Sequence, residues 1–302
     1  MRPELASRTC IVMTALGCSV QPAPSSGPPA RPAFRVRVPV APSQAAATAI
    51  EDPAVPRPLD STPSSTDGQT NAACSEGMQR VRTSYCPKME RECVRKEYDK
   101  PNRITICREF REGTNECQEP RVPLDYCIDE FEYPNRRGEK PPVMQSFYDA
   151  ETSCAAAGKR LCLESEWVAA CEGPEETPFP YGWKRSAEAC NFDNKWANPS
   201  LARVYSSDSA IQRAELLRLD RSLPSGSRPG CKSGFGVFDL TGNVDEWVRA
   251  DQERSRRRSR FAALKGGAWG HVRNACRPVT TSHPPDFKYY FIGFRCCADF
   301  DG

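Results

Sequence analysis

Sixteen cysteines and only two histidines, His271 and His283, are the residues with the most chemical reach in this 302-residue chain. Cysteine sulfur either pairs as disulfides or binds soft metals. Zinc-finger arrays need regular Cys/His spacing, and so few histidines among so many cysteines exclude them. Cys74, Cys86, Cys93, Cys107, Cys117 and Cys127 crowd a charged stretch with few aromatics, no paired CxxC and no neighbouring histidine. That stretch lacks apolar residues for a core of its own. It is expected to be loop-rich and stapled by bridges, each contributing about 2–4 kcal/mol. Disulfides on this scale imply an oxidising compartment, and composition alone leaves their connectivity open. The chain carries no Rossmann glycine fingerprint, Walker motif or nucleophile elbow, and no internal repeat.

The elements that would position these residues are few. Ser146–Ala157 (SFYDAETSCAAA) reads as a helix, with Ser146 capping, Asp149 three residues on and Gly158 as the stop. Phe147, Ala150, Cys154 and Ala157 share one face by their spacing. A second helix is expected over Glu164–Cys171, with Trp167 and Cys171 on its buried side and Gly173 ending it. IQRAELLRL, within 201–219, is a further helical candidate. The rest reads as short strands and long loops with frequent Gly and Pro.

Four segments, taken in order, resemble the formylglycine-generating enzyme (sulfatase-modifying factor) family. They are Asp149–Cys171, Gly234–Trp247 (GFGVFDLTGNVDEW), Lys265–Trp269 (KGGAW) and Ile292–Asp299 (IGFRCCAD). CIDEFEYPN at 127–135 extends the likeness, which covers the chain from about residue 74. It implies an α+β fold similar to a C-type lectin domain: irregular, short-stranded and loop-rich. It also implies a bridge from Cys154 to Cys296 and another from Cys171 to Cys276. Cys127, Cys162, Cys190, Cys231 and Cys297 are additional to the family pattern.

Family members carry two cysteines after a GGSW-like turn. Their thiolates bind Cu(I), a soft ion suited to sulfur, and oxygen then converts a substrate cysteine to formylglycine. Counted without gaps, His271 stands at the first of those positions and Cys276 at the second; with a small gap, Cys276 becomes the partner of Cys171. Either count removes the thiolate pair, so no formylglycine-generating activity is expected, and copper or iron is not expected either. The alternative is a metal-dependent oxidoreductase using His271, with Cys276 as a second candidate, on an exported protein or peptide. Against it, His271 reads as a partly exposed loop histidine, and His271 with His283 cannot rebuild the three-histidine iron site of related sulfoxide synthases. The resemblance further implies structural calcium held by Asp239, the Gly242 and Val244 carbonyls and Glu246. Calcium prefers six to eight oxygens at ~2.3–2.6 Å. An acidic turn without metal is the competing reading. Asp245, between those residues, reads as surface charge. A second calcium site is implied at Asn191 and Phe192, although its downstream partner segment has no clear counterpart.

Length suggests about two domains. With 38% hydrophobic residues and a mean hydropathy of −0.63, no run approaches the ~20 apolar residues of a spanning helix. A net charge of +3 gives no sign of nucleic-acid binding. Residues 1–18 read as an export signal: Arg2 and Arg8, then apolar Ile11–Leu16, then Gly17 before Cys18. Cys18 is a candidate lipidation site, with an ordinary cleaved signal as the alternative. The expected location is periplasmic or outer-membrane-attached, otherwise secreted. Residues 19–73, rich in Pro, Ala and Ser, read as a disordered tether, residues 74–126 as the Cys-rich start of the folded domain, and 127–302 as the sulfatase-modifying-factor-like domain. The basic run Arg254–Arg260 reads as a solvated loop, with an acidic partner, lipid headgroups or polysaccharide as the competing readings. Trp167, Trp247 and Trp269 are expected in the core, whereas Trp183 and Trp196 are candidates to line a groove. A monomeric domain with a protein or glycan ligand is the expectation.

Overall fold

A computed structural model of the chain describes residues 73–252 and 261–300. These belong to the compact unit spanning Thr66–Gly302. The expectations for the export segment, for nearly all of the tether and for Arg254–Arg260 lie outside the described residues.

The chain order is β1 (Met78–Tyr85), β2 (Met89–Glu90), β3 (Cys93–Asp99), β4 (Ile104–Phe110), β5 (Glu116–Cys117), β6 (Val122–Asp129), α1 (Phe147–Ala156), β7 (Arg160–Leu161), α2 (Glu164–Glu172), α3 (Leu201–Val204), α4 (Ser209–Leu219), β8 (Asp245–Arg249), β9 (Ala262–Lys265), β10 (Val279–Thr280), β11 (Ile292–Phe294) and β12 (Cys296–Asp299). The fold is α+β, with few helices and short strands in small sheets. One four-stranded sheet runs β1-β6-β12-β7 and another β10-β9-β8-β11.

Local signals set the helices. Ser146 Oγ accepts the Asp149 N–H at 3.1 Å while Asp149 Oδ2 accepts the Ser146 N–H at 2.8 Å, a reciprocal cap that satisfies two otherwise orphaned donors. The buried residues of α1 are Phe147, Ala150 and Cys154; Ala157, on the same expected stripe, is the exposed C-cap. Helix α2 is buried along its whole length, so its outward residues need partners. Glu166 takes Arg160 at 2.6 Å and Glu172 takes both Arg91 and Arg277. The IQRAELLRL segment is helical as α4, capped by Asp208 accepting from Ala210 and Ile211.

The cysteine-rich start departs from the expected loops. Strand β1 pairs antiparallel with β6 from Met78–Asp129 to Tyr85–Val122, and β3 pairs with β4. Val81 and Tyr85 of β1, four apart and so on one strand face, are buried, as is Met78 at its start, whereas β3 is exposed nearly throughout. The stretch therefore has no separate core, because β1 contributes Val81 and Tyr85 to the cluster around Trp167. Long-range pairing of this kind leaves little trace in composition.

Seven disulfides join all fourteen cysteines of the described residues: Cys74–Cys127, Cys86–Cys117, Cys93–Cys107, Cys154–Cys296, Cys162–Cys297, Cys171–Cys276 and Cys190–Cys231. The adjacent Cys296 and Cys297 point to opposite faces of β12, as strand geometry requires, so one bridges to Cys154 of α1 and the other to Cys162 between β7 and α2. No described helix is long and apolar enough to cross a membrane.

Candidate functional site

Strand β8 and strand β11 run parallel, with Asp245 opposite Ile292 and Trp247 opposite Phe294. This pairing brings the GNVDEW and IGFR segments together. Arg295, just past β11, is fully buried. Its Nε donates to Glu246 Oε2 and its Nη2 to Glu246 Oε1, each at 2.7 Å. Trp167 Nε1 donates to the same carboxylate at 2.8 Å. Burial alone would push Arg295 down, but Glu246 outweighs it and holds the guanidinium above its ordinary value.

The residues implied as calcium ligands sit around this pair, and their side chains already have protein partners. Both Glu246 oxygens carry Arg295, a fixed positive charge where a divalent cation would have to bind. Asp239 accepts the Gly226 N–H at 2.6 Å and is pushed up to about 6, chiefly by burial. Gly242 and Val244 lie in the same buried loop. The second implied site is also committed: Asn191 Nδ2 donates to the Arg221 carbonyl and to Asn243 Oδ1, and its Oδ1 accepts from Asn194. Phe192 instead packs beside the Cys190–Cys231 bridge, under the Arg185 guanidinium. Among the described residues no three His, Cys, Asp or Glu gather to hold a metal. Gly242 has a different duty. At φ +85° it passes so close to Asn191 that a Cβ would lie 2.4 Å from the Asn191 carbonyl oxygen.

The loop after β9 builds the second half of the region. Gly266 and Gly267 both take positive φ, and a Cβ on Gly266 would meet the Leu240 carbonyl at 2.9 Å. The Asn274 side-chain amide donates to the carbonyls of Gly266, Gly267 and Ala268, while the Cys276 N–H donates to Pro178 O. The loop is thus tied at both ends, and Cys276 is bridged to Cys171.

His271 lies on this loop, half-buried, with its ring edge-on to Phe291 at 4.5 Å and Nδ1 3.7 Å from Asp245 Oδ2. Asp245 corrects the surface-charge expectation: it is buried at the start of β8, with Oδ1 accepting the Gly267 N–H at 3.2 Å. Desolvation drives both groups toward neutrality. Asp245 is pushed up to about 7 and His271 pulled down to about 4, where Arg273 adds to the lowering. At 3.7 Å the pair is beyond hydrogen-bond range, and between about pH 4 and 7 both groups are neutral rather than an ion pair.

Two cavities flank this wall. One of about 520 Å³ is lined by Trp196, Gly270, His271, Arg273 and the turn Asp99–Ile104. The other, about 440 Å³, is lined by Tyr205, His271, Arg273, Phe287, Tyr289 and Phe291, among others. Trp167, Trp247 and Trp269 are core residues and Trp196 is 47% exposed. Trp183 is half-buried, its carbonyl receiving the Phe110 N–H. No sequence motif marked Arg273 or Tyr205; only the folded loops bring them to His271.

An α+β domain with short strands in small sheets, a buried Arg–Glu pivot and a bridged cysteine behind an aromatic cleft defines the class. Residues 110–300 match the sulfatase-modifying factor enzyme 1-like domain, and the chain belongs to that family. Relatives carry contrasting names. Mouse formylglycine-generating enzyme is 25% identical over 179 residues, 54% of this chain and 45% of its own. The bovine protein named inactive C-alpha-formylglycine-generating enzyme 2 is 29% identical over 167 residues, 53% of this chain and 50% of its own. The chain thus spans about half the length of the curated relatives it matches. Among solved structures, CarF aligns with a TM-score of 0.46 at 14% identity, covering 74% of this chain and 98% of that one. The number of disulfides points to an oxidising, extracytoplasmic location.

Proposed function

We propose that the chain is an exported, non-catalytic sulfatase-modifying-factor-like domain that acts as a binding or scaffolding module at the cell envelope. The observation that carries this reading is the Cys171–Cys276 bridge. Counted without gaps, the residue at the second family thiol position is spent in a disulfide and the first is His271; counted with a small gap, Cys276 is the structural partner of Cys171, and either way the thiolate pair is missing. A pair of thiolates is the ligand set that favours Cu(I), and this loop offers an imidazole alone. Fold membership does not supply the chemistry without the site. The open cavities beside His271 give the fold a surface on which to bind a protein or glycan. Export through residues 1–18, with lipidation at Cys18 and residues 19–73 as a spacer, would place that surface clear of a membrane.

The test is a thiol count under denaturation without reductant, paired with oxygen uptake by the full chain given copper and a cysteine-containing peptide. The expected result is no free thiol from Cys74 to Cys297 and no peptide aldehyde. Aldehyde formation, abolished by His271→Ala, would establish the oxidoreductase reading instead.

A further inference from the structure

We infer that the wall formed by His271 and Arg273 is the floor of a trough that binds carboxylated saccharides, chains of pyranose rings bearing uronic acid groups. This rests on the binding-module reading and names its ligand class.

The shape comes first. The two cavities share His271 and Arg273, so they are two arms meeting at one point. Each falls within the usual size range of small-molecule sites, about 300–1,000 Å³. An elongated ligand could cross Arg273 and occupy both.

The walls are aromatic on either side. In one arm Trp196 is 47% exposed. It is backed by the rings of Tyr290 and Phe291, and Gly270 makes room for it, since a Cβ there would lie 3.1 Å from the indole. In the other arm Tyr205 is 49% exposed, its hydroxyl fixed to the Lys288 carbonyl at 2.8 Å. Beside it His283, Phe287 and Tyr289 form a ladder of stacked rings at 4.0 and 5.5 Å. These faces are held flat before any ligand arrives, which limits the entropy lost on binding. The C–H faces of sugar rings pack on such platforms.

The charge comes next. The Arg273 guanidinium makes no hydrogen bond or ion pair with any described residue, and it lines both arms. Asp245, in the same wall, is buried and turned to the Gly267 N–H. Burial pushes its carboxyl up, and Arg273 lowers it by less, without forming an ion pair. Asp99 in the other arm is tied to Asn102. A carboxylate on the ligand would complete Arg273 with paired hydrogen bonds. Asp99 and Thr280, one in each arm, supply polar atoms for hydroxyl groups.

An acidic peptide is the competing class, and the main chain disfavours it. Extended peptides bind largely through backbone groups. Those of the floor loop are engaged internally: His271 N to Ala268 O, Ala275 N to Arg273 O, and Asn274 on three carbonyls. The trough therefore presents ring faces, the Arg273 cation and the polar side chains of Asp99 and Thr280.

The test is calorimetry of the full chain with trigalacturonate, maltotriose and a glutamate-rich hexapeptide, each followed also by Trp fluorescence. Trigalacturonate is expected to bind with a Kd on the order of 1 mM or tighter, and more weakly at high salt. Arg273→Gln, Trp196→Ala and Tyr205→Ala should each weaken it about tenfold. All three side chains are exposed enough that the melting temperature should hold. Maltotriose binding as tightly, the peptide binding in its place, an unchanged Kd for Arg273→Gln, or no binding of trigalacturonate would each overturn the ligand class. None of these outcomes touches the thiol count, so failure here stays distinct from failure of the non-catalytic reading.

Discussion

Arg295 grips Glu246 with two nitrogens, 2.7 Å from each carboxylate oxygen, and both side chains are fully buried. The same guanidinium reaches the Phe238 carbonyl at 2.9 Å, so one side chain ties the final strands to β8 and to the loop before it. Removing one partner of a buried pair strands the other as an unpaired charge, at a cost of about 3–5 kcal/mol. Arg295→Met should lose stability on that scale in urea unfolding. Arg295→Met combined with Glu246→Leu should recover most of it. A double variant as unstable as the single would show that the packing, rather than the charge, is at fault.

The same pair makes a prediction about metal. With Arg295 already neutralising Glu246, chelation by EDTA should leave the melting temperature unchanged. A calcium ion present at one hundred times its Kd would add about 2.7 kcal/mol, or roughly 5–10 °C for a domain of this size. A fall of that size on chelation, reversed by calcium, would return the ion to the Asp239–Glu246 loop.

Asp245 and His271 oppose one another as pH changes. Asp245, pushed up to about 7, keeps in the native state a proton that the unfolded chain releases near its ordinary value. Its contribution is present at low pH and is lost as pH rises toward 7. His271, pulled down to about 4, refuses in the native state a proton that the unfolded chain takes up near 6.5. Its contribution is present above 6.5 and is lost as pH falls toward 4. Between pH 4 and 6.5 the two slopes largely cancel. Relative to the unsubstituted protein, Asp245→Asn should gain stability as pH rises through that window, and His271→Gln should lose it, each by at most about 1.4 kcal/mol per pH unit. Other buried acids such as Glu132 and Asp239 are common to all three proteins and drop out of the comparison. Parallel stability curves from equilibrium denaturation would dismiss the pair.

The parts of this molecule legible in the sequence were those fixed by near neighbours. Ser146 and Asp149 are three residues apart, and their reciprocal cap is a local matter. The burial of Phe147, Ala150 and Cys154 follows from helical spacing. What long-range pairing decides was not legible. Strand β1 finds β6 across the length of β2 to β5, from Tyr85–Val122 to Met78–Asp129, and its charged residues gave the stretch the look of loops. Asp245 read as surface charge because it sits in an acidic run, yet β8 is buried on both faces. The clue available was the unbroken burial demanded by the Trp247 strand, which has neighbours on both sides. Arg273 and Tyr205 belong to no motif. They meet only because β8–β11 pairing and the Asn274 tie bring distant loops to one wall.

The Cys171–Cys276 bridge spans 105 residues. In the chain-entropy account, closing a loop of about 100 residues restricts the unfolded chain by roughly 4–5 kcal/mol. The double variant Cys171→Ser with Cys276→Ser should therefore lose about 2–5 kcal/mol, with native strain and residual structure setting the lower end. Cys171→Ser alone should expose one thiol to a labelling reagent. Because His271 still occupies the other position, that protein should bind Cu(I) no better than a lone cysteine does. Tight copper binding by the single variant would mean that imidazole and thiolate suffice here.

Gly242 links the DLTGNVDE loop to Asn191 by close approach, and a matched pair of substitutions isolates that effect. Gly242 and Gly113 both take positive φ, +85° and +72°. An alanine at either position suffers left-handed backbone strain of about 1–2 kcal/mol. They differ in space. A Cβ on Gly113 meets nothing within 4 Å, whereas one on Gly242 would stand 2.4 Å from the Asn191 carbonyl oxygen and 3.2 Å from the Phe192 ring. The obstacle is main chain, so relief requires moving the loop, adding the roughly 1–3 kcal/mol typical of overpacking. Gly113→Ala should shift the urea midpoint modestly. Gly242→Ala should shift it about twice as far and disturb the Asn243–Asn191 backbone hydrogen bond of 2.9 Å, visible as faster amide exchange at Asn243. Equal shifts for the two would reduce the Gly242 requirement to backbone strain and remove the contact with Asn191 as the reason for glycine.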